Sequence, residues 1–468
     1  MILSAALLAG FIAVPSRYTS VEVDIEWNGT VKETTVAYTA SAGDDGRFLQ
    51  VKRDFDPDYM EVELLHAEYG FEGALRSVPD WAVKTLTGSE GWPGALVVAF
   101  PGLRPGMEME WTFRIRDEGR LSSAGLFYTY IAGREPAAIE VRCPDAEGLS
   151  FRQSGFVCSS RGDRRVFVSN DQNYRELWIS TAESWEEVGN LLLESSRASA
   201  EETPPDLREA AIEAGAAGAL PQMRISRGRV LITESMQLLP FPGGDAGFSV
   251  RSIQEILDSR RATPMEAATL LSAMCRVMGI DAPVVPATDI LPPIPSPLGF
   301  NRAFILAEGN LEEPGEYLSP AGWVDMQDTL WLLLPGGILG ELPPETLADS
   351  CGEEWEIFPD QGLFTLTVTA FGGFDRELRR KMAGRDANSL LLAAGEWFRA
   401  SGIHFVPSSV HISDLYDLAE AASITVTGTF PEAEECWLEE EPILKWNRVG
   451  TVERTFTGVT REGGVLSR

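Results

Sequence analysis

The sequence predicts a multidomain protein: an N-terminal antiparallel β-sandwich, a central α+β domain and a C-terminal α+β domain. Length is the first reason, because 468 residues exceed one ordinary domain and suggest about three. The second is a change of hydrophobic period at Ser184, from the alternation of half-buried strands to the spacing of amphipathic helices. The third is a Gly- and Pro-rich connection from Leu333 to Glu345, beyond which strand and helix patterns mix again. The implied boundaries are 1–16 for a leader, then 17–180, 181–335 and 346–468.

Ile2 to Val14 is an unbroken run of apolar and small residues, shorter than the roughly 20 residues that span a bilayer. With small residues around Val14-Pro15-Ser16 it suits a secretory signal, although no Lys or Arg precedes it. An extracytoplasmic protein without a transmembrane span is the expectation. Between Ser20 and Ser180, runs such as Val21 to Trp27 and Met107 to Phe113 alternate with period two, as strands with one buried face do. Pro101 to Gly106 reads as a turn whose two glycines relieve positive φ.

Ser184-Trp185-Glu186-Glu187 reads as a capping box ahead of Val188, Leu191 and Leu192 at helical spacing. Further helices are expected at Asp206 to Ala219, Ile225 to Leu239, Ser252 to Ser259 and Pro264 to Met278, then a strand at Ala282 to Ala287. A proline-rich loop, Pro286 to Pro297, leads to short strands at Asn301 to Ala307 and Glu316 to Ser319. The last part offers strands at Leu363 to Ala370 and Ser423 to Phe430, with helices at Phe374 to Met382 and Ala387 to Ser401.

Composition removes several functions. Seventy acidic against 39 basic residues give a net charge of −31, which repels phosphate backbones, and no Lys/Arg run offers a local nucleic-acid site. Cys143, Cys158, Cys275, Cys351 and Cys436 form no CxxC pair, and with only His66, His404 and His411 to add, neither metal nor cofactor is implied. In an exported protein Cys143 with Cys158 would staple neighbouring strands and Cys351 with Cys436 would close the last domain. Cys275, among Ala273, Met274 and Val277, reads as a buried free thiol. The acidic cluster Glu432 to Glu441 reads as a solvated face.

The most informative stretch begins at Thr263-Pro264-Met265-Glu266. Threonine at the N-cap, proline at the first helical position and glutamate at the third make a well-capped helix start. Glu266, Ala268, Leu270, Leu271, Arg276, Gly279 and Ile280 match, without gaps, the nucleophile helix of bacterial transglutaminase-like proteins, whose catalytic domain is papain-like. The register puts the nucleophilic cysteine at Pro264. Gly299-Phe300-Asn301-Arg302 resembles the strand that carries the family's histidine, here Arg302. Glu316-Tyr317-Leu318-Ser319-Pro320 is similar to the segment carrying the orienting aspartate, here Ser319. The β-rich first part resembles the module of unknown function that precedes such domains.

The resemblance therefore implies a pseudoenzyme, because arginine stays protonated near neutrality and proline supplies no nucleophile. The expected role is a scaffold at the cell envelope that binds polypeptide or glycan, with Glu266, Arg302 and Asp325 as candidate cleft residues. The bland reading pairs Glu266 and Arg302 with each other or with other side chains. Two alternatives remain: a peptidase or acyl transferase with a non-standard site, and a structural component of a surface assembly.

Overall fold

The computed structural model describes residues 17–43, 49–55, 57, 59–86, 94–132, 138–169, 174–239, 249–315, 318–320, 324, 329–343, 349–358, 361–429, 444–446, 451–459 and 465–467. The apolar run at the start, Asp325, Cys436 and the acidic cluster Glu432 to Glu441 lie outside these residues. The chain is a β-rich, multidomain α+β protein.

Its first part stacks one eight-stranded sheet on two three-stranded ones. The large sheet runs, in spatial order, Val157–Arg161, Arg164–Ser169, Ala138–Pro144, Arg17–Trp27, Lys32–Ser41, Glu108–Asp117, Met60–Phe71, Ala74–Ser77. One core joins Val23, Ile25 and Phe167 to Leu177 and Ile179 of the strand Arg175–Ser180. The other joins Tyr69, Met109 and Trp111 to Val98 and Phe100 of Gly94–Phe100. Burying aliphatic and aromatic side chains of this size contributes roughly 1.5–3 kcal/mol each. The large sheet is not wholly antiparallel, as expected, because Arg17–Trp27 pairs in parallel with Ala138–Pro144, Val21 opposite Ile139. A parallel partner requires a long crossover, and the intervening strands supply it. Gly102 (φ 71°) and Gly106 (φ 79°) occupy the left-handed positions of the turn read from Pro101 to Gly106.

The same sheet explains why Cys143 and Cys158 are free thiols rather than the expected disulfide. Cys143 lies opposite Arg165 and Cys158 opposite Phe167, on the two strands that flank Arg164–Ser169. Two strand spacings separate them by about 9.5 Å, beyond the roughly 7 Å Cα separation a disulfide bridges. Cys351 is also a free thiol, and so is Cys275, buried on its helix.

The central sheet has the order Asn310–Glu312, Arg302–Ala307, Val284–Thr288, Leu330–Leu334, Ile338–Leu342. Helices Trp185–Ala200, Pro205–Gly215, Pro221–Ser235, Ile253–Ser259 and Pro264–Val277 build the core on one face with Val284, Ala303, Ile305 and Ala307. Val285, Ala287 and Phe304 form a second core on the other face. Leu121, Phe127 and Ala182 join the helical core, so the first part of the chain helps to pack the central one. The proline-rich loop is part of that seam: Ser180 Oγ donates to the Pro295 carbonyl at 2.5 Å.

Two helices start earlier than expected, at Pro205 and Pro221, because proline fits the first helical position. Gly228 does not break its helix; a Cβ there would lie 3.0 Å from Leu271 Cδ1, so glycine permits close packing on the neighbouring helix. Leu333 to Glu345 is not a bare connection. Strands Leu330–Leu334 and Ile338–Leu342 pair as a hairpin, turned by Gly336 (φ 82°) and Gly337 (φ 75°), and Gly-Gly supplies the positive φ such turns need. The expected strand Glu316 to Ser319 is not formed at its described end, where Leu318 (φ 57°) sits in a turn.

The C-terminal sheet runs Val406–Ile412, Ala422–Thr429, Leu363–Phe371, Ser350–Phe358, Thr451–Val459, Val465–Ser467. Helices Gly373–Met382 and Ala387–Ala400 pack on its apolar face around Trp355, Phe364, Phe374 and Phe398.

Candidate functional site

Helix Pro264–Val277 is the buried hub of the central domain. Its start carries a complete capping box: Thr263 Oγ1 accepts the Glu266 amide at 3.3 Å, and the Glu266 carboxylate accepts the Thr263 amide at 2.9 Å. Pro264 fills the first helical position, where no hydrogen bond is lost. Positive potential gathers at a helix N-terminus. Here the group that answers it is the Glu266 side chain, 2% exposed.

Arg251 closes the arrangement. Its Nε donates to Glu266 Oε1 at 2.7 Å and its Nη2 to Oε2 at 3.0 Å, while Nη1 reaches Ser259 Oγ at 3.1 Å and Nη2 the Arg261 carbonyl at 2.8 Å. A carboxylate so occupied is a structural joint.

Arg302 starts the strand Arg302–Ala307 and faces away from this joint. Alternation sends Ala303 and Ile305 toward the helix and Arg302 and Phe304 to the opposite face of the sheet. The Arg302 guanidinium lies 5.0 Å over the Phe304 ring, with Nη2 2.6 Å from Glu313 and Nη1 3.7 Å from Asp289. Glu266 and Arg302 therefore do not converge as candidate cleft residues; each is engaged by its own ion-pair partner. Asp325, the third candidate, is outside the described residues.

Ser319 is 1% exposed, and its Oγ has no hydrogen-bond partner among the described residues. The carbonyl of the next residue, Pro320, lies 3.5 Å from Nη1 of Arg229, which is itself paired with Glu312 at 2.7 Å in a fully buried ion pair. Leu318 packs with Val230 and with Leu418 of the C-terminal domain, so this turn is clamped between domains.

The chain's histidines, His66, His404 and His411, all lie outside the stretch 181–335. Burial, then the Glu312 carboxylate, pushes the Cys275 thiol up to about 12, so it stays protonated near neutrality. Thr269 Oγ1 is held by the Met265 carbonyl at 2.8 Å and by Ser196 at 2.8 Å. Among the described residues no three His, Cys, Asp or Glu side chains gather as a metal site. An open concavity of about 650 Å³ lies along helix Trp185–Ala200, lined by Ser184, Glu186, Glu187, Asn190 and Arg197 among others. Ser184 Oγ is engaged there by the Glu187 amide, while the Glu187 carboxylate takes the Glu183 amide, so the expected box is only half made.

Sequence reasoning missed Arg251, Glu313 and the Arg229–Glu312 pair. No local signal marks them, since each partner lies 11 to 83 residues away along the chain.

No family model and no curated protein matches the chain. Among solved structures, a provisionally assigned protease from Parabacteroides distasonis aligns with 89% of this chain and 94% of its own at 14% identity, with a TM-score of 0.59. The two share a fold. A zinc metallopeptidase from Deinococcus radiodurans overlaps 35% of this chain and 42% of its own at 13% identity and a TM-score of 0.21, too slight to carry an argument.

Proposed function

We propose that this chain is a non-catalytic, transglutaminase-like scaffold, exported and used to bind polypeptide or glycan. The observation that carries the reading is the start of helix Pro264–Val277. Where the resemblance expects a cysteine thiolate there is a proline, flanked by a threonine and a glutamate whose polar atoms are committed to capping and to Arg251. At the position the resemblance gives to the base stands Arg302, which lies on the sheet face away from this helix, is bound to Glu313 and stays charged near neutrality. Among the described residues no helix is long and apolar enough to cross a membrane.

The test is turnover. Wild-type protein is incubated with a chromogenic ester, and separately with casein and a fluorescent primary amine. No product above background is expected. Pro264→Cys should yield a thiol open to alkylation but no turnover, because the stretch 181–335 holds no histidine to act as its base. Turnover by the wild type that disappears in Thr263→Val or Glu266→Gln would sink the proposal. Export is tested by fractionation, with the protein expected in the envelope or medium and a cytoplasmic pool overturning that part.

A further inference from the structure

The C-terminal sheet has a second face, opposite its helices, and its composition is unusual. Alternation puts Leu363, Thr365, Thr367, Thr369 and Phe371 of one strand on this side. Thr427 lies opposite Thr365, Thr425 opposite Thr367 and Ser423 opposite Thr369. On the other flank Glu356 faces Thr365 and Glu354 faces Thr367, and beyond them Thr455 lies opposite Glu354 and Glu453 opposite Gly352. Hydroxyls already link the rows: Thr367 Oγ1 and Thr425 Oγ1 are 3.4 Å apart, and Ser409 Oγ bonds Thr427 Oγ1.

We propose that this face binds an amine-bearing glycan, a glucosamine-type polymer, lying across the hydroxyl rows. The inference rests on the scaffold reading above and gives that scaffold a surface. Hydroxyls recur about every 4.8 Å across strands and about 6.8 Å along them, and each both donates and accepts, as sugar hydroxyls do. Glu354, Glu356 and Glu453 are exposed, and no Lys or Arg stands at a described position of this face. That charge complements ammonium groups and repels acidic polymers. Exposed Leu363, Phe371 and Val406 give apolar ends against which sugar rings can pack.

A peptide fits less well. Peptides are captured by an open strand edge or by side-chain pockets, and here the interior strands spend their backbone groups on one another. β-propensity alone would put threonine on a solvent-facing sheet. It gives no reason for carboxylates unaccompanied by Lys or Arg at the described positions, where His411, opposite Thr425, is the one imidazole.

The experiment is calorimetric titration of the full chain with a glucosamine hexasaccharide, with its N-acetylated counterpart and a polyuronate as controls. Binding is expected for the amine form, weaker for the acetylated form, and none for the polyuronate. The quadruple variant T365V/T367V/T425V/T427V keeps the β-branched shape, and should weaken binding by at least about tenfold through lost hydrogen bonds. Should that variant not fold, E354Q/E356Q/E453Q, at exposed positions, should weaken the amine form by about tenfold and erase its advantage over the acetylated form. No binding by the wild type, preference for the polyuronate, or equal binding by both variants overturns the assignment. Equal binding by the variants would leave the scaffold reading standing with its ligand elsewhere, whereas cleavage or acylation of the sugar would sink the scaffold reading itself.

Discussion

Arg251 and Glu266 form a two-pronged ion pair, 2.7 Å and 3.0 Å, between the segment that leads into helix Ile253–Ser259 and the first turn of helix Pro264–Val277. The Glu266 side chain is 2% exposed and that of Arg251 27%. The carboxylate also caps its own helix, so one buried side chain fixes both the helix start and the chain that approaches it. The charge is part of the packing.

Removing one partner should be far worse than removing both. Arg251→Ala leaves Glu266 buried without its counter-charge and should destabilise the protein by about 3–5 kcal/mol. Arg251→Met with Glu266→Met removes the isolated charge and should recover part of that loss, the remainder being the cap at about 1 kcal/mol. Urea unfolding followed by tryptophan fluorescence measures both. Equal losses in the single and double variants would contradict a buried, coupled pair.

Stability should fall on the alkaline side. Burial raises the thiols of Cys143, Cys275 and Cys351 from 9.0 to about 12, and burial also raises Tyr38, Tyr128 and Tyr130. These groups are protonated in both states below pH 9.0, so their contribution is complete there. Above it the unfolded thiols ionise while the folded ones do not, the unfolded state binds fewer protons, and stability declines toward about pH 12. Native protein at pH 8 should resist iodoacetamide at these three cysteines and react at all of them in urea. Rapid native labelling of Cys275 would mean that its helix is not buried as described.

The hairpin glycines should respond unequally. A Cβ on Gly337 would meet the Glu186 amide nitrogen at 2.3 Å, whereas one on Gly336 meets nothing within 4 Å among the described residues. Both have positive φ, so Gly336→Ala should cost about 1 kcal/mol from backbone strain alone. Gly337→Ala must also push the hairpin off helix Trp185–Ala200 and should cost about 3 kcal/mol or more. Thermal unfolding ranks the two, and a reversed order would place the hairpin elsewhere.

Arg379 should be among the most sensitive residues of the C-terminal domain. It is fully buried, paired with Asp375, and donates to the carbonyls of Leu415 (2.6 Å) and Asp417 (3.0 Å) and to that of Glu420. Arg379→Met leaves Asp375 without its counter-charge and those carbonyls without this donor, for an expected loss of about 3–5 kcal/mol. Because Leu418 of the same loop packs on Leu318, amide exchange should accelerate at 415–420 and also around Leu318. Exchange confined to the C-terminal domain would show that the loop does not couple the two.

Much was legible in the chain itself. Local signals fixed what local physics decides: the capping box at Thr263 and Glu266, the glycine turn from Pro101 to Gly106, the helices near 264–277 and 387–400, and the alternation that made the first part β-structure. Even the threonine face is written as Thr365-x-Thr367-x-Thr369 and Thr425-x-Thr427-x-Thr429, although only pairing shows that the two runs lie side by side. Tertiary structure decided what depends on distant partners. It gave Glu266 to Arg251 and Arg302 to Glu313, set one strand between Cys143 and Cys158, and turned the glycine-rich stretch after Leu333 into a paired hairpin. The reason is physical: capping and periodicity are read within a turn or two of backbone, whereas ion pairs, strand neighbours and buried faces are chosen by groups that meet only after the chain has folded.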